Sequence, residues 1–588
     1  MNHAACYKQG YPRPRFVRES FVDLNGEWEF AFADKEMGIK SSFHKGAKLP
    51  LTIRVPYAYN TPASGINAKT DYAEVWYKKT FDYDLPLNRR LLVNFDGADY
   101  FTDVWLNGEH IGSHEGGYTR FTFDITHALK PMGNELVVCC RDPFDPAYPR
   151  GKQRHLDHNT GCFYLPTVGI WKSVWLEETA TNYLLDVYPE IRYEDCSAIL
   201  HYSVNEAVLS DNLYFTAKAY FMGEYVTEVS GRVVAPEGKI LLDLENRKQQ
   251  LPMKPWSAGN SKQFFDIVYE LKKGEKTIDV VGSYLGLVDY KADKNRLLIN
   301  YLPATYLRMV LAQGYYPESG LTGSEDALLK DVQLIKDMGF NGVRMHQKID
   351  DDRFYYFCDM IGLYAWCEMP SPYVTDDRTM SAFTKEWQEI VRQHRGFIST
   401  MAFVPFNESW GALQVLENKR QQAFITSAYW LTKSLVPERL VVGNDGWEHT
   451  ETDLLTVHDY VSSGESLHEA YSDVEGFARG ERVKDLYTRT AFADGWEYKG
   501  QPIIVSEFGG VKYSPDLESW GYGNAAKTPE ELYERTKALV QGITANKKLA
   551  GYCLTQFTDV YQEKNGLLCE DRTPKLPIEK IKEINSLY

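Results

Sequence analysis

The stretch "AFVPFNESWG", residues 402–411, is apolar as far as Phe406 and then turns polar at Asn407 and Glu408. A buried run that ends in an acid fits the carboxyl end of a strand in a (β/α)8 barrel, where strands are covered on both faces and their carboxyl ends converge on the active site. Seven further segments have the same character: "YLRMVL" (306–311), "NGVRMH" (341–346), "LYAWCEM" (363–369), "LVVGND" (440–445), "LLTVHDY" (454–460), "IIVSEF" (503–508) and "GYCLTQFTD" (551–559). Helical patterns separate most of them. In "GSEDALLKDVQLIKDMGF" (323–340), Leu328, Val332, Ile335 and Met338 fall on one face and Gly339 stops the helix. Pro405 is an irregularity in the strand expected to close on Glu408, since proline cannot donate to a sheet ladder.

The chain before this region has the period of β-structure. Residues 1–180 hold "GEWEFAF", "NELVVCCRD" and "GIWKSVWLE" between Gly, Asn and Asp breaks, with Asn107-Gly108 as a two-residue hairpin signal. Residues 181–295 continue in shorter strands, among them "AILHYSV", "LYFTAKAYF" and "QFFDIVYEL", around the Pro- and Lys-rich "ENRKQQLPMKPWSAGNSK". The expected organisation is therefore a β-sandwich over 1–180, an immunoglobulin-like sandwich over 181–295 and a barrel over 296–588.

Composition excludes some functions. A net charge of -16 opposes a nucleic-acid partner, which needs clustered Lys and Arg. No run of about 18 apolar residues marks a membrane helix, and the first residues, "MNHAACYKQGYPRPRF", contain no signal-peptide core, so a cytoplasmic location is expected. Nine cysteines, none in a C-x-x-C pair, read as free thiols in a reducing compartment. The aromatic share of 14% suits both an ordinary core and sugar stacking.

Several expected strands end on a polar residue: His346, Glu368, Glu408, Asp445, Tyr460, Glu507 and Asp559. Glu408 and Glu507 lie in the two most similar ends, "FVPFNE" and "IIVSEFGG". Two carboxyls on one cavity can act as proton donor and nucleophile, as glycoside hydrolysis requires; equally, strand-end acids cap helices or pair with Arg.

The order of motifs resolves that choice. "DLNGEWEF", "VWLNGEHIGSHEGGYTRF" and "GIWKSVWLE", then "FNGVRMHQ", "DMIGLYAWCEMP", "FNESWG" and "IIVSEFGG" resemble the glycoside hydrolase family 2 proteins, the group of β-galactosidases, β-glucuronidases and β-mannosidases, almost end to end. The resemblance implies a jelly-roll sugar-binding-like domain, an immunoglobulin-like domain and a catalytic TIM barrel that retains anomeric configuration. It makes Glu408 the acid/base and Glu507 the nucleophile, with Asn407 on the sugar 2-hydroxyl and Arg344 and Tyr460 beside the nucleophile. His346 matches a histidine able to reach a sugar hydroxyl, and Trp410 and Trp447, like Trp520 and Tyr522, either stack on the sugar or wall the pocket. Glu368 and Glu448 take supporting roles.

Departures bear on the substrate. Where β-glucuronidases grip the sugar carboxylate with Asn and Lys, "EKNG" places Glu563 and Asn565, and a Glu there repels a uronate; Lys564 reads a carboxylate only if it turns inward. His346-Gln347-Lys348 also replaces the family's His-Tyr-Pro. "WCEMPSPYVTDD" lacks the magnesium ligands of the large β-galactosidases, so no metal or other cofactor is expected. The expectation is a retaining exo-β-glycosidase acting on a small glycoside or oligosaccharide, with a β-galactoside first and a β-glucuronide, arabinopyranoside or galactofuranoside as alternatives. A carbohydrate-binding protein on a dead barrel is the remote alternative. By analogy with the family, a homo-oligomer stays open.

Overall fold

The computed structural model describes residues 3–587 except 35–36, 207–211, 246–253, 304–305 and 480–488. The linker-like stretch around Pro252 lies partly outside the described residues.

The first sandwich packs a six-stranded antiparallel sheet (Leu51–Val55, Gly26–Phe32, Glu74–Phe81, Asn134–Arg141, Phe101–Leu106, Glu109–Glu115, in that order) on a four-stranded one. Alternate residues of the two sheets, including Trp28, Phe30, Tyr77, Val93, Phe95 and Val138, fill the space between them. Asn107 and Gly108 both take positive φ (55° and 85°) and join Leu106 to Glu109, the turn whose twist matches a hairpin. The second sandwich sets a three-stranded sheet (Leu184–Arg192, Ser197–Val204, Glu237–Asp243) against a four-stranded one that includes Phe265–Lys273 and Lys276–Leu285, over a core of Leu200, Phe215, Ile267 and Val281.

The remaining sheet has eight parallel strands: β1 (Leu307–Ala312), β2 (Gly342–Met345), β3 (Tyr364–Glu368), β4 (Thr400–Val404), β5 (Leu440–Val441), β6 (Leu455–Asp459), β7 (Ile503–Gly509) and β8 (Gly551–Thr555). They run in the order β5-β4-β3-β2-β1-β8-β7-β6, so the two ends of the sheet are consecutive strands; there the His458 N–H meets the Gly446 carbonyl at 3.4 Å. This is a TIM-barrel-like sheet, nearly every residue of which is buried.

Two local departures from the sequence reading shape the site. β4 stops at Val404, not Glu408: Pro405 ends the ladder, and Glu408 and Ser409 sit at φ +52° and +59° in a turn whose Asn407 bridges Asp445. In β7 the register slips, so that Val505 faces Val457 and Glu507 faces His458. Ser506 is the extra residue, and such a bulge re-aims the side chain that follows it.

Residues 3–18 leave the first sandwich and tie the three bodies together. His3 and Tyr7 stack on Tyr356 of the barrel helix Asp352–Ile361, Val17 bridges Gly282 in the second sandwich, and buried Arg18 pairs with Glu177 and Asp279 at 2.9 Å each. Removing one partner of a buried pair strands the opposite charge, at about 3–5 kcal/mol, whereas a half-exposed pair is worth about 0–1 kcal/mol. Arg18→Ala is expected to lower the thermal unfolding midpoint by several degrees, and Arg378→Ala, whose pair with Asp145 is largely exposed, to leave it nearly unchanged. Equal midpoints for the two variants, measured by scanning calorimetry, would remove this role for Arg18.

Candidate active site

The carboxyl ends of the strands carry one connected polar cluster, centred on Arg344 near the end of β2. Its side chain is fully buried. Nε donates to Glu368 Oε2 at 2.6 Å, one terminal nitrogen to Glu507 Oε1 at 2.8 Å and the Ser506 carbonyl at 3.2 Å, and the other to Asn407 Oδ1 at 2.7 Å. Asp445 Oδ2 lies 2.6 Å from the guanidinium. Although burial opposes its charge, Asp445, Glu368 and Glu507 keep Arg344 firmly protonated. Burial likewise opposes the charge of Asp445, but Arg344 and then His458 hold its carboxyl far below the usual range. For Glu368 burial wins over Arg344 and the carboxyl is raised.

Glu507 receives a second hydrogen bond on Oε2, from the Tyr460 hydroxyl at 2.5 Å. Tyr460 stacks on Tyr522 with ring centres 3.4 Å apart, and burial followed by the Glu507 charge keeps its proton in place. A carboxylate oxygen of Glu408 and one of Glu507 lie within 4.8 Å of each other and of a His458 nitrogen. Glu408 Oε1 is 2.8 Å from His458 Nδ1. Burial pushes the Glu408 carboxyl up, yet the hydrogen bond and charge of His458, then Lys152 and Arg344, bring it below its ordinary value.

Each residue singled out in the sequence has a definite place. Glu408, Glu507, Asn407, Arg344 and Tyr460 come together. His346 joins them, with Nδ1 at 2.9 Å from Glu368 and 3.9 Å from Glu507; burial, then Lys152 and Arg344, make its imidazole hard to protonate. Trp447 stands edge-on to His458, its buried indole N–H without a partner among the described residues, and Trp410 borders Phe163 and Tyr373. Trp520 is bound through Nε1 to the Gly161 carbonyl, and Glu448 holds Arg489 and Ser409. Lys564 does not join the cluster. The chain alternates there: Glu563 and Asn565 are buried, while Lys564 is turned to Glu570 at 2.9 Å beside an outer cavity with Asp559 and Lys575.

Two contributors were not singled out in the sequence. His458 is one, although it lies near the end of β6 two residues before Tyr460, which follows the strand, a period-two spacing that could have revealed it. The other is the loop 150–164 of the first domain, which crosses the barrel mouth. Arg150 and Gly151 N–H groups bond the Ser371 carbonyl at 3.2 and 3.1 Å, and the Gln562 side chain bonds the Gly161 carbonyl at 2.7 Å. Tyr164 donates to Glu563 and Tyr373 to the Gly151 carbonyl. This loop brings buried Lys152 over Trp410, 4.8 Å from the ring centre. Burial opposes its charge, but Cys162, Glu563, Glu507 and Glu408 raise it; among the described residues no carboxylate pairs with it directly. Nothing in the local sequence links Lys152 to residues some 250 positions later.

Glu408, His458 and Glu507 are near enough together to suggest a cation site, but the donors do not fit one. Both His458 nitrogens face carboxylates, and the Arg344 guanidinium already occupies Glu507. A doubly protonated imidazole has no lone pair for a metal.

Residues 53–175 match the family described as "Glycosyl hydrolase 2 galactose-binding domain-like". Among relatives, a putative β-glucuronidase of Formosa agariphila is 26% identical over 61% of this chain and 42% of its own length. A β-galactosidase of Thermoanaerobacter pseudethanolicus is 24% identical over 63% and 48%. The chain thus spans about half the length of these curated relatives. Among solved structures, a β-glucuronidase of Ruminococcus gnavus aligns over 98% of this chain and 99% of its own at TM-score 0.76 and 18% identity. A β-galacturonidase of Eisenbergiella tayi bound to galacturonate aligns over 98% of both chains at 0.75 and 17%. At these identities the structural likeness speaks for the fold.

The cluster carries a direct test. Lysine has one point charge where Arg344 makes a fork of bonds to four strand ends, so Arg344→Lys leaves Glu368, Asp445 and Glu507 poorly compensated. The variant is expected to retain its far-ultraviolet circular dichroism and to lose activity by at least about 100-fold. Activity within about threefold of the parent would show that the fork is dispensable.

Proposed function

Taking the likeness to the family 2 glycoside hydrolases as premise, we propose that this chain is a retaining exo-β-glycosidase working by double displacement. The observation that carries the reading is the pair of carboxylates with oxygens within 4.8 Å of each other. So close an approach is in keeping with the roughly 5–5.5 Å between the carboxyls of retaining enzymes rather than with the about 6.5–9.5 Å of inverting ones. Glu507, held ready by Arg344 and Tyr460, attacks the anomeric carbon; Glu408 protonates the departing oxygen and then activates the water that releases the sugar. Asn407, fixed by Arg344, bonds the sugar 2-hydroxyl. Trp447 and Tyr522 wall the sugar, and the loop 150–164 limits the pocket to a terminal residue. Nine free cysteines fit a reducing compartment, where the substrate would be an imported small glycoside.

For the sugar, we infer a neutral β-galactoside. The inward residues of the last loop are Glu563 and Asn565, and Lys564 is held outside by Glu570. One observation favours a second reading, a β-linked uronic acid: the Lys152 ammonium stands beside the carboxylates and, among the described residues, pairs directly with none of them, and burial keeps the Glu563 carboxyl raised. Weighing against it, Lys152 is already needed as a countercharge to Glu408, Glu507 and Glu563.

Glu507→Ala is expected to remove nearly all turnover, because no covalent glycosyl-enzyme forms. Glu408→Ala should spare the first step for aryl glycosides with very good leaving groups, which need little protonation. Steady-state and burst kinetics on 2,4-dinitrophenyl glycosides separate the two, and near-normal turnover by Glu507→Ala would end the assignment.

The sugar is tested by comparing aryl β-galactoside with aryl β-glucuronide and β-galacturonide. A kcat/KM at least about tenfold higher for the galactoside, roughly 1.4 kcal/mol in transition-state binding, is expected. A uronide preference that collapses in Lys152→Met would instead establish the second reading.

A further inference from the structure

His458 stands between the two carboxylates of the pair, with a ring nitrogen near each. Its side chain is completely buried at the end of β6. Nδ1 is 2.8 Å from Glu408 Oε1, and Nε2 is 2.8 Å from Asp445 Oδ2 and 3.5 Å from Glu507 Oε1. The ring is tightly seated. A Cβ on Gly446, at φ +106°, would fall 2.8 Å from it, and Trp447 closes another side with ring centres 5.5 Å apart. Arg344 approaches Nε2 at 3.4 Å, and His346 and His449 are the other titratable groups whose charge it meets. Asp445 cannot leave, because Arg344 holds the same oxygen at 2.6 Å.

We propose that the Asp445–His458 pair stores the proton that Glu408 delivers to the leaving group and takes it back when the sugar is released. The proposal rests on Glu408 and Glu507 being the acid/base and the nucleophile, and it makes His458 a positioning residue that acts through Glu408. Three points, built on these distances, carry it. A ring between two carboxylate acceptors holds its proton on Nδ1 in the resting site, so Glu408 is ionised there and is not itself a proton donor. Asp445 fixes the second proton on Nε2, which leaves Nδ1 as the only exchangeable position. Nδ1 reaches the acid/base oxygen at hydrogen-bond distance without an intervening water.

The balance closes over both steps. In the first, the Nδ1 proton passes to Glu408 Oε1, and a turn of the carboxyl about its last torsion presents it to the glycosidic oxygen. The C1–O bond breaks, the leaving oxygen takes that proton and Glu507 forms its bond to C1. Glu408 is left as a carboxylate and His458 neutral, still donating from Nε2 to Asp445. In the second, water attacks C1 and frees Glu507; its proton goes to Glu408 and on to Nδ1, restoring the starting charge. The timing follows from electrostatics. Burial alone would lower the imidazole, but Glu507 first and Asp445 next hold it up to about 10. Forming the glycosyl ester removes the Glu507 charge when the proton must be given up, and deglycosylation restores it when the proton must return.

The test pairs an alkyl and a 2,4-dinitrophenyl β-glycoside of one sugar, on wild type and His458→Gln. The expected wild-type profile of kcat/KM for the alkyl glycoside keeps its activity above pH 8, because His458 carries the proton there. In His458→Gln the basic limb should move to lower pH by at least about one unit. At pH 8 the alkyl glycoside should lose at least about 100-fold, and the dinitrophenyl glycoside less than about tenfold. A limb that stays put or moves to higher pH, or equal losses on both substrates, would overturn the relay and leave His458 a plain countercharge. A second measurement does not depend on that variant folding. Ring 15N shifts should show His458 doubly protonated at pH 8 in wild type and titrating at least about one unit lower in Glu507→Gln; a neutral ring at pH 8 in wild type rejects the proposal. If the wild type cleaves no β-glycoside, the glycosidase reading fails and takes the relay with it, whereas an active enzyme with an unmoved limb sinks the relay alone.

Discussion

One buried guanidinium organises the carboxyl-terminal mouth of the barrel. Arg344 reaches carboxylates from β3, β7 and the segment after β5, and the amide that follows β4, within 2.6 to 2.8 Å. Three anions so close together repel strongly when water is excluded, and one cation does not balance them. The protonated ring of His458 supplies a second positive charge and Lys152 a third. The cost of gathering the carboxylates is therefore met by cations from three different parts of the chain, and removing any of them shifts the protonation of those that stay.

That dependence explains why the barrel is not enclosed by its own loops. The loop 150–164 belongs to the first sandwich, yet it carries Lys152 and Tyr164 to the site and is bonded to residues after β3 and β8. The N-terminal residues 3–18 fix the sandwiches and the barrel against one another through Tyr7 on Tyr356 and Arg18 between Glu177 and Asp279. Small displacements of the first sandwich would move the Lys152 charge relative to Glu408 and Glu507, so the contacts far from the cluster also bear on its electrostatics.

Much of this was legible in the sequence because it is periodic or local. Eight apolar runs separated by helical patterns gave the barrel, and alternation with Asn107-Gly108 gave the sandwich and its hairpin. Strand ends are less local: Pro405 marks an irregularity, but the ladder's end at Val404 and the left-handed turn at Glu408 depend on pairing with Asp445. The bulge at Ser506 has no local signature. His458 stands in "VHDY" two residues before Tyr460, but its carboxylate partners come from other strand ends and have no local signature. The orientation of Lys564 and the reach of Lys152 were beyond the sequence, since one depends on the pairing partner Glu570 and the other on how two domains meet.

The central claim is that two carboxylates this close perform two successive displacements at one carbon. Proton NMR of the sugar released from an aryl β-galactoside in the first seconds of reaction, before mutarotation, tests it most directly. The account predicts that the β-anomer appears first. Initial release of the α-anomer would contradict it, whatever the rate and whichever residue proves essential.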